Sequence, residues 1–198
     1  MNLTFSIDSS GSMADPRRNQ SYPALAGAIL CLSALRAGAR VQATLWSGKH
    51  QCQVTDGFVR DEQQILGVLT GYIGGGTQFP LHILRKTWIE PKVVRRRAHL
   101  MVISDDGVST MLDGDERRSS GAAICTAALQ RAGGGGTLVL NLAAQWEQWT
   151  TSPAYAAILR LRDELGFDVF RITDWNELVA FARAFARRCY VEDAKVKG

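Results

Sequence analysis

Two apolar runs that show no polar alternation place the strongest constraint on the fold. Residues 100–103 read Leu-Met-Val-Ile, and residues 138–142 read Leu-Val-Leu-Asn-Leu. A half-exposed strand alternates apolar and polar residues, whereas a strand in the middle of a parallel sheet is covered by helices on both faces and is apolar throughout. The two runs therefore predict central strands of an α/β protein.

The rest of the chain alternates between strand-like and helix-like spacing, with glycine, proline or a capping residue at each change. The predicted strands cover residues 3–7, 41–46, 51–55, 100–103, 138–142 and 167–172. The predicted helices cover residues 21–37, 61–70, 79–88, 119–132, 152–165 and 174–189, and the first carries Leu25, Ala28, Ile29, Leu32 and Leu35 on its apolar face. This order predicts a three-layer, doubly wound, Rossmann-like α/β fold with a mostly parallel sheet and one antiparallel edge strand at 51–55.

Length and charge narrow the classes of function. We expect one domain over residues 1–190 and a charged tail at 191–198. The 198 residues carry 23 basic and 19 acidic side chains, a net charge of +4. We expect no nucleic-acid partner, because such interfaces combine a basic face with stacking aromatic residues. No apolar run approaches the about 20 residues of a membrane span, so we expect no membrane partner.

The cysteines and the N-terminus indicate the compartment. Cys31, Cys52, Cys125 and Cys189 show no CxxC spacing, which favours reduced thiols over disulfides or a zinc site. The N-terminus has no basic segment leading into an apolar stretch, as an export signal would have. We therefore expect a cytoplasmic protein.

Oxygen-bearing side chains lie in three of the predicted loops. Asp8, Ser10 and Ser12 lie directly after the first strand, Thr77 follows three glycines, and Asp105 follows a central strand. In a doubly wound sheet the carboxyl ends of the strands meet at one edge, where ligands bind. Two carboxylates and three hydroxyls form a hard oxygen set that suits Mg²⁺, or alternatively Mn²⁺ or Ca²⁺, better than zinc or copper. Mainly neutral hydroxyls leave such an ion able to accept a carboxylate from another molecule.

These residues resemble the metal-ion-dependent adhesion site (MIDAS) of von Willebrand factor A (vWA) domains. The family pattern is Asp-x-Ser-x-Ser after strand one, a Thr in a later loop and an Asp after the fourth strand, which corresponds here to Asp8, Ser10, Ser12, Thr77 and Asp105. The family usually has Thr-Asp-Gly in the third loop, whereas this chain has an additional acidic residue, Asp106. Strand register favours Asp105 as the ligand, and counting back from the glycine favours Asp106.

The resemblance implies binding rather than catalysis. Family members hold protein partners, often through a Glu or Asp side chain of the partner that completes the coordination of the metal. By analogy, a cytosolic chain of this kind resembles the bacterial vWA subunits that work beside MoxR-type AAA+ ATPases. Two alternatives remain: a metal-independent vWA scaffold, and a Mg²⁺-dependent phosphatase with Asp8 as its nucleophile. Ser10 stands where such a phosphatase needs a second acid, so we do not expect an enzyme.

Other residues have both a structural and a functional interpretation. Trp146 and Trp149, and likewise Met111 and Leu112, either pack against neighbouring helices or form a partner surface near the metal. The acidic run at residues 113–116 lacks the spacing of a calcium-binding EF-hand and indicates a solvated loop. We expect structural or surface roles for His50, His82 and His99. The basic run at 95–97 precedes a strand, which places it at the edge opposite the metal.

Overall fold

The computed structural model describes residues 1–93 and 97–192, and in this part a sheet of six strands lies between two layers of helices. The strands are β1 (Asn2–Asp8), β2 (Val41–Trp46), β3 (Cys52–Val54), β4 (Ala98–Ser104), β5 (Gly133–Asn141) and β6 (Asp168–Ile172). Their order across the sheet is β3-β2-β1-β4-β5-β6, and only β3 is antiparallel to its neighbour. The predicted doubly wound α/β architecture, with its antiparallel edge strand, is confirmed.

In chain order, helices follow β1, β3, β4, β5 and β6, so a helix lies in each connection between successive parallel strands. The helices are α1 (Tyr22–Arg36), α2 (Glu62–Leu69), α3 (Leu81–Leu84, continued by a π-helical turn at Arg85–Ile89), α4 (Gly121–Ala132), α5 (Pro153–Asp163) and α6 (Trp175–Ala186, continued by a π-helical turn at Arg187–Glu192). Short 3₁₀ helices lie at Asp106–Leu112 and Trp146–Gln148. The side chain of Asp61 caps α2, Ser120 caps α4 and Asp174 caps α6, each by accepting backbone N–H groups of the first turn.

The central strands divide their side chains between two cores. Every residue of β1 and β4 is buried. Met101 and Ile103 of β4 join the core beneath α1 and α6, whereas Leu100 and Val102 join the core beneath α4 and α5. This two-sided burial explains why the strand at 98–104 shows no polar alternation.

The apolar face predicted for α1 is wrong. Leu25 is exposed, and the side of the helix that is buried carries smaller residues such as Ala26, Gly27 and Ala34. The reason is a close approach of the helix to the sheet: a methyl group on Gly27 would lie 2.9 Å from the Phe5 ring. At that separation only a small side chain fits at position 27, so the buried face of α1 carries Ala26, Leu30 and Ala34, and Leu25 lies on the opposite side.

Strand β5 is longer than the apolar run predicted. It begins at Gly133 rather than at residue 138, because four consecutive glycines form its first residues. A methyl group on Gly134 would lie 2.3 Å from the carbonyl oxygen of Ala98, and one on Gly136 would lie 2.5 Å from Leu129. The glycines therefore let β5 pair closely with β4 in a region where the register shifts.

Two of the sequence expectations fall partly outside the described residues. Arg95 and Arg96 of the basic run lie outside the described residues, and so do residues 193–198 of the predicted tail. Arg97 lies at the start of β4, where its guanidinium donates a hydrogen bond to the carbonyl of Gly133. Within the described ranges, every helix is too short or too polar to cross a membrane.

Candidate functional site

The candidate site lies at the carboxyl edge of the sheet, where the loops after β1 and β4 meet the glycine-rich loop between α2 and α3. Asp8 is the last residue of β1 and is 2% exposed. Its Oδ1 accepts the backbone N–H of Ser10 at 2.7 Å, and its Oδ2 accepts the hydroxyl of Ser104 at 2.6 Å. Burial raises the pKa of Asp8 above its ordinary value, and these hydrogen bonds only partly oppose that effect.

A chain of hydroxyl groups joins the first loop to the third. The Oγ atoms of Ser10 and Ser12 are 3.1 Å apart, and the Ser12 hydroxyl donates to Asp105 Oδ2 at 2.6 Å. Ser10 is buried, whereas Ser12 is exposed. The site therefore has a buried floor and one side open to solvent.

The structure distinguishes the two adjacent acidic residues of the third loop. Asp105 contacts Ser12 and also accepts the backbone N–H of Gly107 at 2.9 Å, which caps the 3₁₀ helix that follows. Asp106 is exposed, and both its partial burial and the neighbouring charge of Asp105 raise its pKa. Asp105 is therefore the residue that faces the other predicted side chains.

Thr77 lies against the same loop. A methyl group on Gly107 would lie only 2.3 Å from Thr77 Cγ2, so the glycine makes room for the threonine. The Thr77 hydroxyl forms no hydrogen bond with any residue in the described part of the chain. The fold thus brings Asp8, Ser10, Ser12 and Asp105 into one hydrogen-bonded chain and places Thr77 beside it.

Residues that the sequence did not single out hold the glycine-rich loop in place. The Ser9 hydroxyl accepts the N–H of Ile73, and the Gly11 N–H donates to the carbonyl of Gly75. The buried Ser47, directly after β2, donates from its hydroxyl to the carbonyls of Gly74 and Gly76. Ser9 and Ser47 directly follow a strand, and Ser104 is the last residue of one. Their position at the carboxyl ends of strands is the sequence signal that could have identified them.

The charge of the site is unbalanced. Among the ion pairs formed within residues 1–93 and 97–192, none involves Asp8 or Asp105, and the only charged group found to act on Asp8 is Asp105. No group of three or more His, Cys, Asp or Glu side chains converges in that same part of the chain. Any cation at this edge would therefore be held by two carboxylates together with hydroxyl groups.

The apolar residues near the site divide between the two interpretations. Trp146 and Met111 are buried in the core beneath α4 and α5. Leu112 packs partly buried against the same core. Trp149 is 50% exposed, and its ring centroid lies 5.7 Å from that of Tyr155. Packing therefore accounts for three of the four side chains, and only Trp149 among them is largely exposed.

The acidic loop at 113–116 is only partly solvated, contrary to the sequence interpretation. The side chain of Asp115 is fully buried and pairs with Arg85, which is 9% exposed in its side chain. Arg85 also pairs with Glu116, and with Glu90 at 3.4 Å. This buried network fastens the loop to α3, and the sequence contained no spacing that would indicate it.

His50 and His82 line a pocket with Gln78, next to Thr77, whereas His99 lies near the start of β4, at the opposite end of that strand from Asp105. His99 Nδ1 donates to the carbonyl of Gly134, its Nε2 accepts the Thr137 hydroxyl, and burial lowers its pKa. His82 Nε2 lies 3.8 Å from Cys52 Sγ, and His50 is exposed. Cys31 and Cys125 are buried free thiols, and burial raises the pKa of Cys125 to about 12.

The comparisons with known proteins concern the fold. No protein-family model and no curated protein matches this chain. A single-substitution mutant of the PilB minor pilin from Streptococcus sanguinis matches with a TM-score of 0.65 and 13% identity over all of this chain, which spans 64% of that protein. The vWF domain of the type V pili tip protein Mfa5 from Porphyromonas gingivalis matches with a TM-score of 0.59 and 12% identity, over 96% of this chain and 95% of that domain.

A third similar structure is the conserved hypothetical protein BatB from Bacteroides thetaiotaomicron. It matches with a TM-score of 0.53 and 12% identity, over 94% of this chain and 98% of BatB. Identities this low show a shared fold alone. The fold of this chain is therefore vWA-like, as its sequence motif predicted.

Proposed function

We propose that this chain is a metal-dependent protein-interaction module. In this proposal Asp8, Ser10, Ser12, Thr77 and Asp105 hold Mg²⁺ as a MIDAS, and the ion accepts a Glu or Asp side chain from a partner protein. Mn²⁺ and Ca²⁺ are the alternative ions for an all-oxygen set. A vWA-like fold is consistent with a protein-interaction role.

The observation that carries the proposal is the pair of carboxylates without a basic partner. Asp8 is buried, yet no Lys or Arg in the described ranges neutralises it or Asp105. A buried charge is costly unless it is paired or coordinates a metal. A divalent cation beside both groups would remove that cost.

The spacing of the hydroxyl oxygens fits Mg²⁺. Two oxygens bound at right angles to one Mg²⁺, each at about 2.1 Å, are about 3.0 Å apart. The Oγ atoms of Ser10 and Ser12 are 3.1 Å apart. The Thr77 hydroxyl, which has no hydrogen-bond partner among residues 1–93 and 97–192, would add a third neutral ligand.

The partner would bind through the remaining coordination position. Three hydroxyls and two carboxylates supply five donors, one fewer than octahedral Mg²⁺ requires. When bound, the ion supplies a concentrated positive charge that attracts a carboxylate. Ser12 lies on the exposed side of the site, so the open position would face solvent and remain within reach of a protein.

A metal-independent scaffold is the second candidate, and one observation favours it. Both oxygens of Asp8 and both oxygens of Asp105 already accept hydrogen bonds from the protein. In that case the cluster would only join the loops, and partners would bind elsewhere on the surface. Metal binding by the isolated chain separates the two candidates.

We also propose that the chain has no phosphatase activity. Both carboxylate oxygens of Asp8 are engaged, and Ser10 occupies the position of the acid that would protonate a leaving group. Incubation with p-nitrophenyl phosphate and Mg²⁺ tests this directly. Release of nitrophenol by the wild type but not by an Asp8→Asn variant would establish the enzyme instead.

Calorimetric titration with Mg²⁺ tests the metal site. We expect one ion per wild-type chain. The Thr77→Ala variant should bind about tenfold more weakly or worse, because even an outer-shell partner is worth about 10–100-fold in metal affinity. The exposed Thr151 provides the matched control, and Thr151→Ala should bind like the wild type. Equal heats for all three proteins, or no heat at all, would favour the metal-independent scaffold.

The partner and the compartment are proposed from the sequence resemblance. A MoxR-type AAA+ ATPase from the same genome is the partner to test, by co-elution with this chain in Mg²⁺ and in EDTA. Complex formation that requires Mg²⁺ supports the assignment, and no complex in either buffer contradicts it. The free thiols of Cys31, Cys52 and Cys125 fit a reducing, cytoplasmic compartment.

A further inference from the structure

The Thr110 side chain joins the two loops that carry Thr77 and Asp105. Its hydroxyl donates to the carbonyl of Gly107 at 2.8 Å and accepts the backbone N–H of Phe79 at 2.9 Å. Gly107 is two residues beyond Asp105, and Phe79 is two residues beyond Thr77. A single oxygen atom thus connects the backbones that flank the two side chains.

Other contacts also hold the far end of the glycine-rich loop: the side-chain amide of Gln78 donates to Asp113 at 3.3 Å, and the buried Phe79 ring packs against Trp46. Ser47 fixes the glycines through its hydroxyl and accepts the N–H of Gln78 through its carbonyl. Those bonds attach the loop to β2. The bond between Thr110 and Phe79 attaches it to the loop after β4, which carries Asp105.

The contact that Thr110 maintains is tight. Thr77 Cγ2 lies against Gly107 so closely that a methyl group there would be 2.3 Å away. Asp105 in turn accepts the N–H of Gly107. A small rotation of the Gly107 carbonyl, released from the Thr110 hydroxyl, would therefore change the separation of Thr77 from Asp105.

We propose that Thr110 is a positioning residue that sets the Thr77 hydroxyl opposite Asp105, and so determines the affinity of this edge of the sheet for a divalent cation. The inference rests on the proposed metal site for its effect on affinity. Its geometric part, the placement of Thr77 against Gly107, does not depend on any ion.

The test compares three variants. Thr110→Val keeps the shape and removes both hydrogen bonds, whereas Thr110→Ser keeps the hydroxyl. Thr55 provides a matched control, because its hydroxyl also donates to one carbonyl, of Gly57 at 2.9 Å, and accepts one N–H, of Ala43 at 3.1 Å, at a distance from the site. Thr55→Val therefore measures the loss of an equivalent pair of bonds elsewhere.

Two readouts separate positioning from general stability. Calorimetric titration gives the Mg²⁺ affinity. We expect a weakening of about 10–100-fold in Thr110→Val, the range for outer-shell groups, with near wild-type values in Thr110→Ser and Thr55→Val. NMR of the metal-free chain gives the nuclear Overhauser effect between the Thr77 methyl and the Gly107 α protons, which only Thr110→Val should weaken.

The outcomes distinguish the two proposals. If wild-type protein binds no Mg²⁺ but Thr110→Val loses the Overhauser effect, the metal site fails and the positioning role stands. If Thr110→Val keeps that effect, or binds Mg²⁺ as tightly as Thr55→Val does, Thr110 only stabilises the fold and the inference is wrong.

Discussion

Replacing Asp8 with asparagine should change stability in opposite directions with and without metal. Asp8 is 2% exposed and has no basic partner in the described part of the chain. Asparagine has the same shape, its Oδ1 can still accept the Ser10 N–H, and the Ser104 hydroxyl can rotate to accept from its Nδ2. The variant therefore removes a buried charge while it keeps both hydrogen bonds.

The magnitudes follow from the size of the chain. A single stabilising substitution is commonly worth about 0.5–2 kcal/mol, and we take that range for removal of the buried charge. A chain of 198 residues has an unfolding entropy of about 0.4 kcal/mol per kelvin, so Asp8→Asn should raise Tm in EDTA by about 1–5 °C. Mg²⁺ at 100 times its Kd stabilises the wild type by about 2.7 kcal/mol, or about 6 °C, and should not stabilise the variant.

Thermal unfolding in EDTA and in excess Mg²⁺ measures both effects, with Asp56→Asn, a change at an exposed aspartate, as the control. We expect the order of Tm to reverse: the variant is the more stable protein in EDTA and the less stable one in Mg²⁺. A variant that is less stable in EDTA, or an equal change in the Tm of both proteins on addition of Mg²⁺, would refute the idea that Asp8 binds a cation.

Three further predictions concern neighbouring features. Gly107→Ala places a methyl group 2.3 Å from Thr77 Cγ2. It should therefore cost about 1–3 kcal/mol of stability and weaken Mg²⁺ binding in calorimetry. Gly67→Ala is the control, because its added methyl group has no atom within 4 Å, and it should neither destabilise the fold nor weaken binding. Asp115→Ala removes the fully buried partner of Arg85, which keeps Glu116 and Glu90, and should cost about 1–3 kcal/mol in urea unfolding. Loss of the exposed partner of Arg160, in Glu164→Ala, should cost less than about 1 kcal/mol, and equal losses would contradict the burial argument. Burial lowers the pKa of His99 below 6.5, so the folded chain binds fewer protons than the unfolded chain below that pH, and the free energy of unfolding should fall as the pH drops from about 8 to about 5. Unfolding of a His99→Gln variant across the same range should show a smaller fall, and an unchanged slope would exclude His99 as its source.

Local pattern was sufficient to predict the architecture and the meeting of the loops that carry Asp8 and Asp105. The unbroken apolar runs marked central strands, and the strands that precede Asp8 and Asp105 are parallel neighbours, so their loops lie at one edge. The motif alone left Asp105 and Asp106 undecided, because glycine spacing and strand register point to different residues. The tertiary contact with Ser12 distinguishes them.

Features that depend on the distance between elements were not predictable from the sequence. The buried face of α1 was wrong because its separation from Phe5, which admits Gly27 but not leucine, is a property of packing. The pairing of Arg85 with Asp115 joins residues 30 positions apart, with no periodicity to indicate it. Likewise, Thr110 and Ser47 act through backbone groups of a glycine loop, whose path cannot be derived from residue types.

A crystal of the chain soaked in Mn²⁺, with the anomalous scattering of manganese measured, would show whether the oxygen-rich edge binds a divalent cation. We expect one strong anomalous peak, at about 2.1 Å from the hydroxyl oxygens of Ser10, Ser12 and Thr77, the distance typical of Mg²⁺-type coordination. A well-ordered crystal with no peak there, or with its only peak elsewhere on the surface, would contradict the proposed metal site.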